Sequence, residues 1–61
     1  MKVKAVIKQL KKSGWVQVRM KGSHRQFKHP ENPGLVTVPG KFNDNLAPGT
    51  LNSIYKQAGW K

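Results

Sequence analysis

His24 is the residue of this chain best placed to do chemistry. It follows Gly22-Ser23, a pair that fits a two-residue type II′ turn, in which glycine comes first. An unperturbed imidazole titrates at a pH of about 6.5, so near neutrality it can take a proton and return it. The rest of the chain is strongly basic: twelve Lys and Arg face only Glu31 and Asp44, for a formal net charge of +10. Such an excess attracts polyanions. A proton acceptor presented on a cationic surface points to a protein that binds nucleic acid and cuts it.

RNA cleavage sets three requirements. The 2′-hydroxyl must lose a proton, the pentacoordinate phosphorus must be stabilised, and the leaving 5′-oxygen must gain a proton. His24 suits the first task as general base. Arg19 and Lys21 suit the second, as positive charge aimed where negative charge develops. The third has no evident donor. His29 is a candidate by residue type, but strand alternation places it on the apolar face. Magnesium sites are built from carboxylates, and the two acids both fall in loops, so neither a metal nor another cofactor is expected. Cysteine is absent, and no acid is placed to orient the histidine as in a triad. Metal-independent RNA cleavage is therefore the enzymatic reading that the residue inventory supports.

The elements that must position His24 are short. A chain of 61 residues implies a single domain, residues 1–61, with a small core and no room for a deep cleft. Any site must lie on an open face. The N-terminal residues contain no apolar run suited to export or membrane insertion, and with cysteine absent a cytoplasmic location is expected.

Val3, Val6, Ile7 and Leu10 recur at helical spacing, and Ser13-Gly14 ends that helix. From Trp15 to Lys21 the residues alternate, which predicts a strand with Val16, Val18 and Met20 on the core face. Gln17, Arg19 and Lys21 then face water. After the turn, His24 to His29 returns as a second strand. This register pairs Lys21 with His24, Arg19 with Gln26 and Val18 with Phe27, and it keeps Phe27 out of the cationic face. Pro30 to Gly34 reads as a turn and Leu35 to Val38 as a third strand. Phe42 and Leu46 are expected to cover the edge of the core. Pro48 opens a second helix whose apolar stripe is Leu51, Ile54, Tyr55 and Ala58, with Gly59 ending it and Trp60 folding back.

The predicted order is α-β-β-β-α, an α+β fold with a three-stranded antiparallel sheet and both helices on one face. The open face then carries His24, Arg19, Lys21, Gln26 and Lys28. Plainer readings exist for each feature. A histidine near a turn is most often a solvated polar residue, and a lysine-rich helix face is often only a solvated face. Trp15 and Trp60 read as packing residues before stacking platforms. The alternative function is a non-catalytic basic RNA-binding module, and a third is a basic protein whose partner is an acidic protein.

Several segments in order carry a family likeness: Ser13-Gly14-Trp15, Lys21-Gly22-Ser23-His24, Phe27-Lys28-His29-Pro30, Val36-Thr37-Val38-Pro39, Leu46-Ala47-Pro48-Gly49-Thr50-Leu51 and Ile54-Tyr55-Lys56-Gln57-Ala58-Gly59. Over nearly its whole length the chain resembles the HicA, or YcfA-like, mRNA interferase toxins of type II toxin-antitoxin systems. The resemblance implies a fold like the double-stranded-RNA-binding domain. It implies an endoribonuclease that cleaves mRNA and blocks translation, with the histidine of the Gly-Ser-His segment, His24 here, as the catalytic residue. It also implies a HicB-type antitoxin that covers the His24 face. The free toxin is expected as a monomer. The RNA-binding set read from charge and position is Lys4, Lys8, Lys11, Arg19, Lys21, Gly22, Ser23, Arg25 and Lys28. Of these, Arg25 is pointed towards the helices by alternation. Many members carry a further histidine after the Val-Pro that closes the third strand; here Gly40-Lys41 follows Pro39.

Overall fold

The computed structural model describes residues 1–60. Helix α1 (Val3–Lys12) leads into strands β1 (Val16–Lys21), β2 (His24–His29) and β3 (Asn32–Val38), and helix α2 (Pro48–Ala58) closes the fold. The strands form one antiparallel sheet in the order β1-β2-β3. This α-β-β-β-α arrangement is the topology of the double-stranded-RNA-binding domain.

Both helices end in the same way. Gly14 takes a left-handed φ of +94°, its N–H donates to the Lys11 carbonyl, and the Trp15 N–H reaches back to the Leu10 carbonyl. At the end of α2, Gly59 and Trp60 repeat the pattern onto Lys56 and Tyr55. These are Schellman motifs, and each one turns the chain so that the following tryptophan packs inward. Trp15 joins the core cluster with Val3, Val6, Ile7, Leu10, Phe27, Val36, Val38, Ile54 and Ala58, while Trp60, Leu46 and Leu51 pack against it. Tyr55 is only half-buried; its ring meets Trp60 edge-on at 5.5 Å, outside that cluster. Gly14 is doubly constrained, because a Cβ there would lie 2.8 Å from Nε2 of His29. Gly14→Ala is therefore expected to destabilise the fold by about 1–3 kcal/mol, read as a lowered Tm in thermal unfolding.

The sheet departs from simple alternation in β1. The pairs Lys21↔His24 and Arg19↔Gln26 form, but Phe27 lies opposite Gln17 and not Val18. The register shifts between Gln17 and Arg19, so Val18 is the extra residue of a β-bulge. Val16, Val18 and Met20, expected in the core, are all exposed. The cause is a conflict of parity. Trp15 is 3% exposed, so it faces inward. Lys21 shares a face with His24 and so faces outward. Strict alternation over the six-residue step from Trp15 to Lys21 would put both on the same side, and one inserted residue resolves the conflict.

β3 also begins earlier than its apolar run suggests, at Asn32, with a second irregularity between the Phe27 and His29 pairings. The Asn32 Oδ1 accepts the Gly34 N–H at 3.0 Å there, and Leu35 is left facing water. The free edge of β3 is partly covered: the Thr37 N–H donates to Oε1 of Gln57 on α2 at 3.0 Å. Phe42 does not cover the core and lies exposed in the loop before α2.

Candidate functional site

Pairing and burial together define the outer face of the sheet. Phe27 is fully buried on the inner face, so its strand neighbours Gln26 and Lys28, and with them His24, stand on the outer one. Lys21 lies directly across from His24 and Arg19 across from Gln26. The turn between the strands has Gly22 at φ +59°, while Ser23 keeps a negative φ. That combination is the sign pattern of a type II′ turn, whose twist matches the flanking strands. Gly22 is needed for this angle alone, because a Cβ there would meet nothing within 4 Å.

Lys21, Gly22, Ser23, His24 and Gln26 line an open depression of about 510 Å³. An exposed imidazole thus sits in a shallow basic dish with a hydroxyl, an ammonium group and the backbone of a tight turn. No hydrogen bond among the described residues ties the His24 ring down, so the ring is free to meet a substrate. A second depression of about 370 Å³, lined by Val18, Arg19, Gln26, Lys28 and Leu35, adjoins it.

A comparison with protein families matches residues 3–60 to the family described as HicA toxin of bacterial toxin-antitoxin. The chain belongs to the HicA toxin family. A comparison with curated proteins finds no match.

In this HicA-family chain the basic residues divide into separate groups. Arg19, Lys21 and Lys28 share the outer face with His24. Lys4, Lys8 and Lys11 are exposed on α1. That helix packs its stripe of Val3, Val6, Ile7 and Leu10 into the core, so its lysines lie off the outer face of the sheet. Arg25 points inward and is half-buried. Its Nη1 donates to the Gly40 carbonyl at 3.0 Å, and its guanidinium lies 5.8 Å from the Phe42 ring centroid. Arg25 thereby holds the segment after β3, a structural task that sequence reasoning did not see. Gly40 and Phe42 are the two residues that make this contact.

The second histidine of this HicA-family chain is occupied elsewhere. His29 lies at the far end of β2, with Nε2 3.0 Å from the Ser13 carbonyl and Nδ1 accepting the Glu31 N–H at 3.0 Å. With Nδ1 accepting the Glu31 N–H, Nε2 is the nitrogen that donates to the Ser13 carbonyl. The ring also packs against Trp15, with centroids 5.3 Å apart. His29 therefore clasps the end of α1 to the β2–β3 turn. His29→Ala is expected to lower stability by about 1–3 kcal/mol through the two lost hydrogen bonds, and chemical denaturation measures that loss.

Among the described residues no three His, Cys, Asp or Glu side chains gather where they could hold a metal ion. Asp44 is engaged locally, with its Oδ2 accepting the Lys41 N–H at 3.0 Å. No helix among the described residues is long and apolar enough to cross a membrane.

Proposed function

We propose that the chain is a metal-independent endoribonuclease toxin that cleaves mRNA and so blocks translation, with His24 as its catalytic residue. The observation that carries this reading is the position of His24 on the open sheet face of a HicA-family chain, beside Lys21 and in a depression large enough for a phosphate and its sugars.

His24 takes the proton of the 2′-hydroxyl. The O2′–phosphorus bond forms as the phosphorus–O5′ bond breaks, and O5′ takes a proton from solvent water on the open face, which leaves a 2′,3′-cyclic phosphate and a free 5′-hydroxyl. Lys21 faces the same space and stabilises the added negative charge at phosphorus. The Gly22-Ser23 turn supplies polar groups beside it. Arg19 and Lys28 bind the flanking phosphates, so affinity should fall steeply as salt rises. Lys4, Lys8 and Lys11 add longer-range attraction. Arg25 supports the site from behind, through Gly40. A HicB-type antitoxin neutralises the toxin by covering the His24 face, and the free toxin is a monomer that acts in the cytoplasm.

The test is incubation of the purified chain with a defined RNA in the presence of EDTA. Fragments ending in 2′,3′-cyclic phosphate are expected. RNA that stays intact over long incubation, yet is bound in a salt-sensitive way, would replace this reading with that of a non-catalytic RNA-binding module.

A further inference from the structure

The proposed reaction leaves one part of the outer face without a role. Val16, Val18 and Leu35 are 59%, 52% and 43% exposed there. Large aliphatic side chains gathered on one face in water mark a contact surface. Val18 is moreover the bulge residue, and pairing puts Val16 beside Lys28.

Val18 and Leu35 wall the second depression, and Arg19, Gln26 and Lys28 complete it. Gln26 also lines the His24 depression, so the two hollows are continuous through one amide side chain. Gln26 and His24 are alternate residues on one face of β2, about 7 Å apart along the strand. That is the scale of a single nucleotide. A substrate whose scissile phosphate lies at His24 therefore brings its neighbouring nucleotide over Val18 and Leu35.

We propose that this second depression is a base-binding subsite for the nucleotide next to the scissile phosphate, that it takes a purine, and that Gln26 is its specificity-determining residue. The proposal rests on the assignment of RNA as the substrate of the His24 face. Val18 and Leu35 offer aliphatic walls to the flat faces of a base. The polar rim is rich in donors: the Arg19 guanidinium, the Lys28 ammonium and the Gln26 amide N–H₂. Purines present N7 as an acceptor on the edge away from the sugar, and pyrimidines have no such atom. An amide carries one donor and one acceptor together, which matches N7 and the exocyclic amine of adenine, whereas Arg19 matches N7 and O6 of guanine. The surrounding cations suit the phosphates on either side. They disfavour a second copy of this chain, which would bring Arg19 and Lys28 against their like.

The test reads binding separately from cleavage. The His24→Ala variant is titrated by fluorescence anisotropy with labelled pentauridylate and with the same oligomer carrying A, G or C at its centre. The purine oligomers are expected to bind about tenfold more tightly than the pyrimidine ones. Adding Gln26→Ala should remove most of the advantage of adenine. Adding Val18→Ser with Leu35→Ser should remove the advantage of both purines. Val18 and Leu35 are exposed and Gln26 is half-buried on the outer face, away from the core, so the variants should keep their fold, and circular dichroism checks that they do. Equal affinity for all four oligomers would overturn the proposal. So would a purine preference that survives the Val18/Leu35 change, because the aliphatic patch would then serve another partner, such as an acidic protein. If the unmodified chain fails to cleave RNA while the purine preference and its loss in the variants are observed, the nuclease reading falls and the subsite stands.

Discussion

Replacing His24 by alanine is expected to lower RNA cleavage by about 10²–10⁴-fold, the range over which a positioned general acid or base contributes. The effect should appear in kcat/KM on a fluorogenic RNA. It should leave thermal unfolding unchanged, because the imidazole is exposed and makes no hydrogen bond among the described residues. Lys21→Ala should fall short of this loss, because the remaining cations of the outer face, Arg19 and Lys28, sustain part of the field at phosphorus. Equal activity of the His24→Ala variant and the unmodified chain would remove His24 from the reaction. In cells the same variant should no longer arrest growth, since the proposed toxicity follows from cleavage.

The largest expected effect on the fold comes from Phe27→Ala. Phe27 is fully buried on the central strand and carries the largest of the fully buried side chains. Its removal costs about 3–5 kcal/mol, from lost transfer free energy and the cavity left behind. A chain of 61 residues has a total stability of only about 3–9 kcal/mol at the usual yield per residue. The variant should therefore be largely unfolded at 37 °C, with its near-ultraviolet circular dichroism lost. Activity should vanish with it, although Phe27 touches no substrate. Added His24→Ala would change nothing further, and that pairing separates loss of fold from loss of chemistry. A Phe27→Leu variant fills most of the space and should retain both.

Much of this architecture is legible from residue order. The apolar stripe of α1 sits at 3.6-residue spacing and is buried as that spacing requires. Gly14 and Gly59 end the two helices where their conformational freedom is needed. Around the Gly22-Ser23 turn the register follows from two rules, the turn type and the exclusion of Phe27 from the cationic side, and the pairs nearest the turn obey them. The error begins where local alternation meets a distant demand. Val16, Val18 and Met20 alternate well enough to look like a core face. Burying Trp15 is worth more than burying any one of them, because an indole removes more apolar surface from water than an aliphatic side chain. A signal was present in the sequence: the step from Trp15 to Lys21 has the wrong parity for one residue to be buried and the other exposed.

The inward turn of Arg25 was also foreshadowed by alternation. Its partners, Gly40 and Phe42, were not, because they lie fifteen and seventeen positions downstream in a loop with no periodicity to read. His29 shows the same division. Alternation takes it off the outer face, but only the packed turn reveals that its two nitrogens bind the Ser13 carbonyl and the Glu31 N–H.

By itself the sequence determined the order of elements, the cationic character and the side of the sheet on which His24 stands. Each of these follows from local rules: helical and strand periodicity, turn chemistry and charge count. Tertiary structure decided the bulge at Val18, the aliphatic hollow beside the histidine, and the internal tasks of Arg25 and His29. Those depend on which side chains compete for a single small core. That competition is settled by burial across the whole molecule, a quantity that no stretch of neighbouring residues contains.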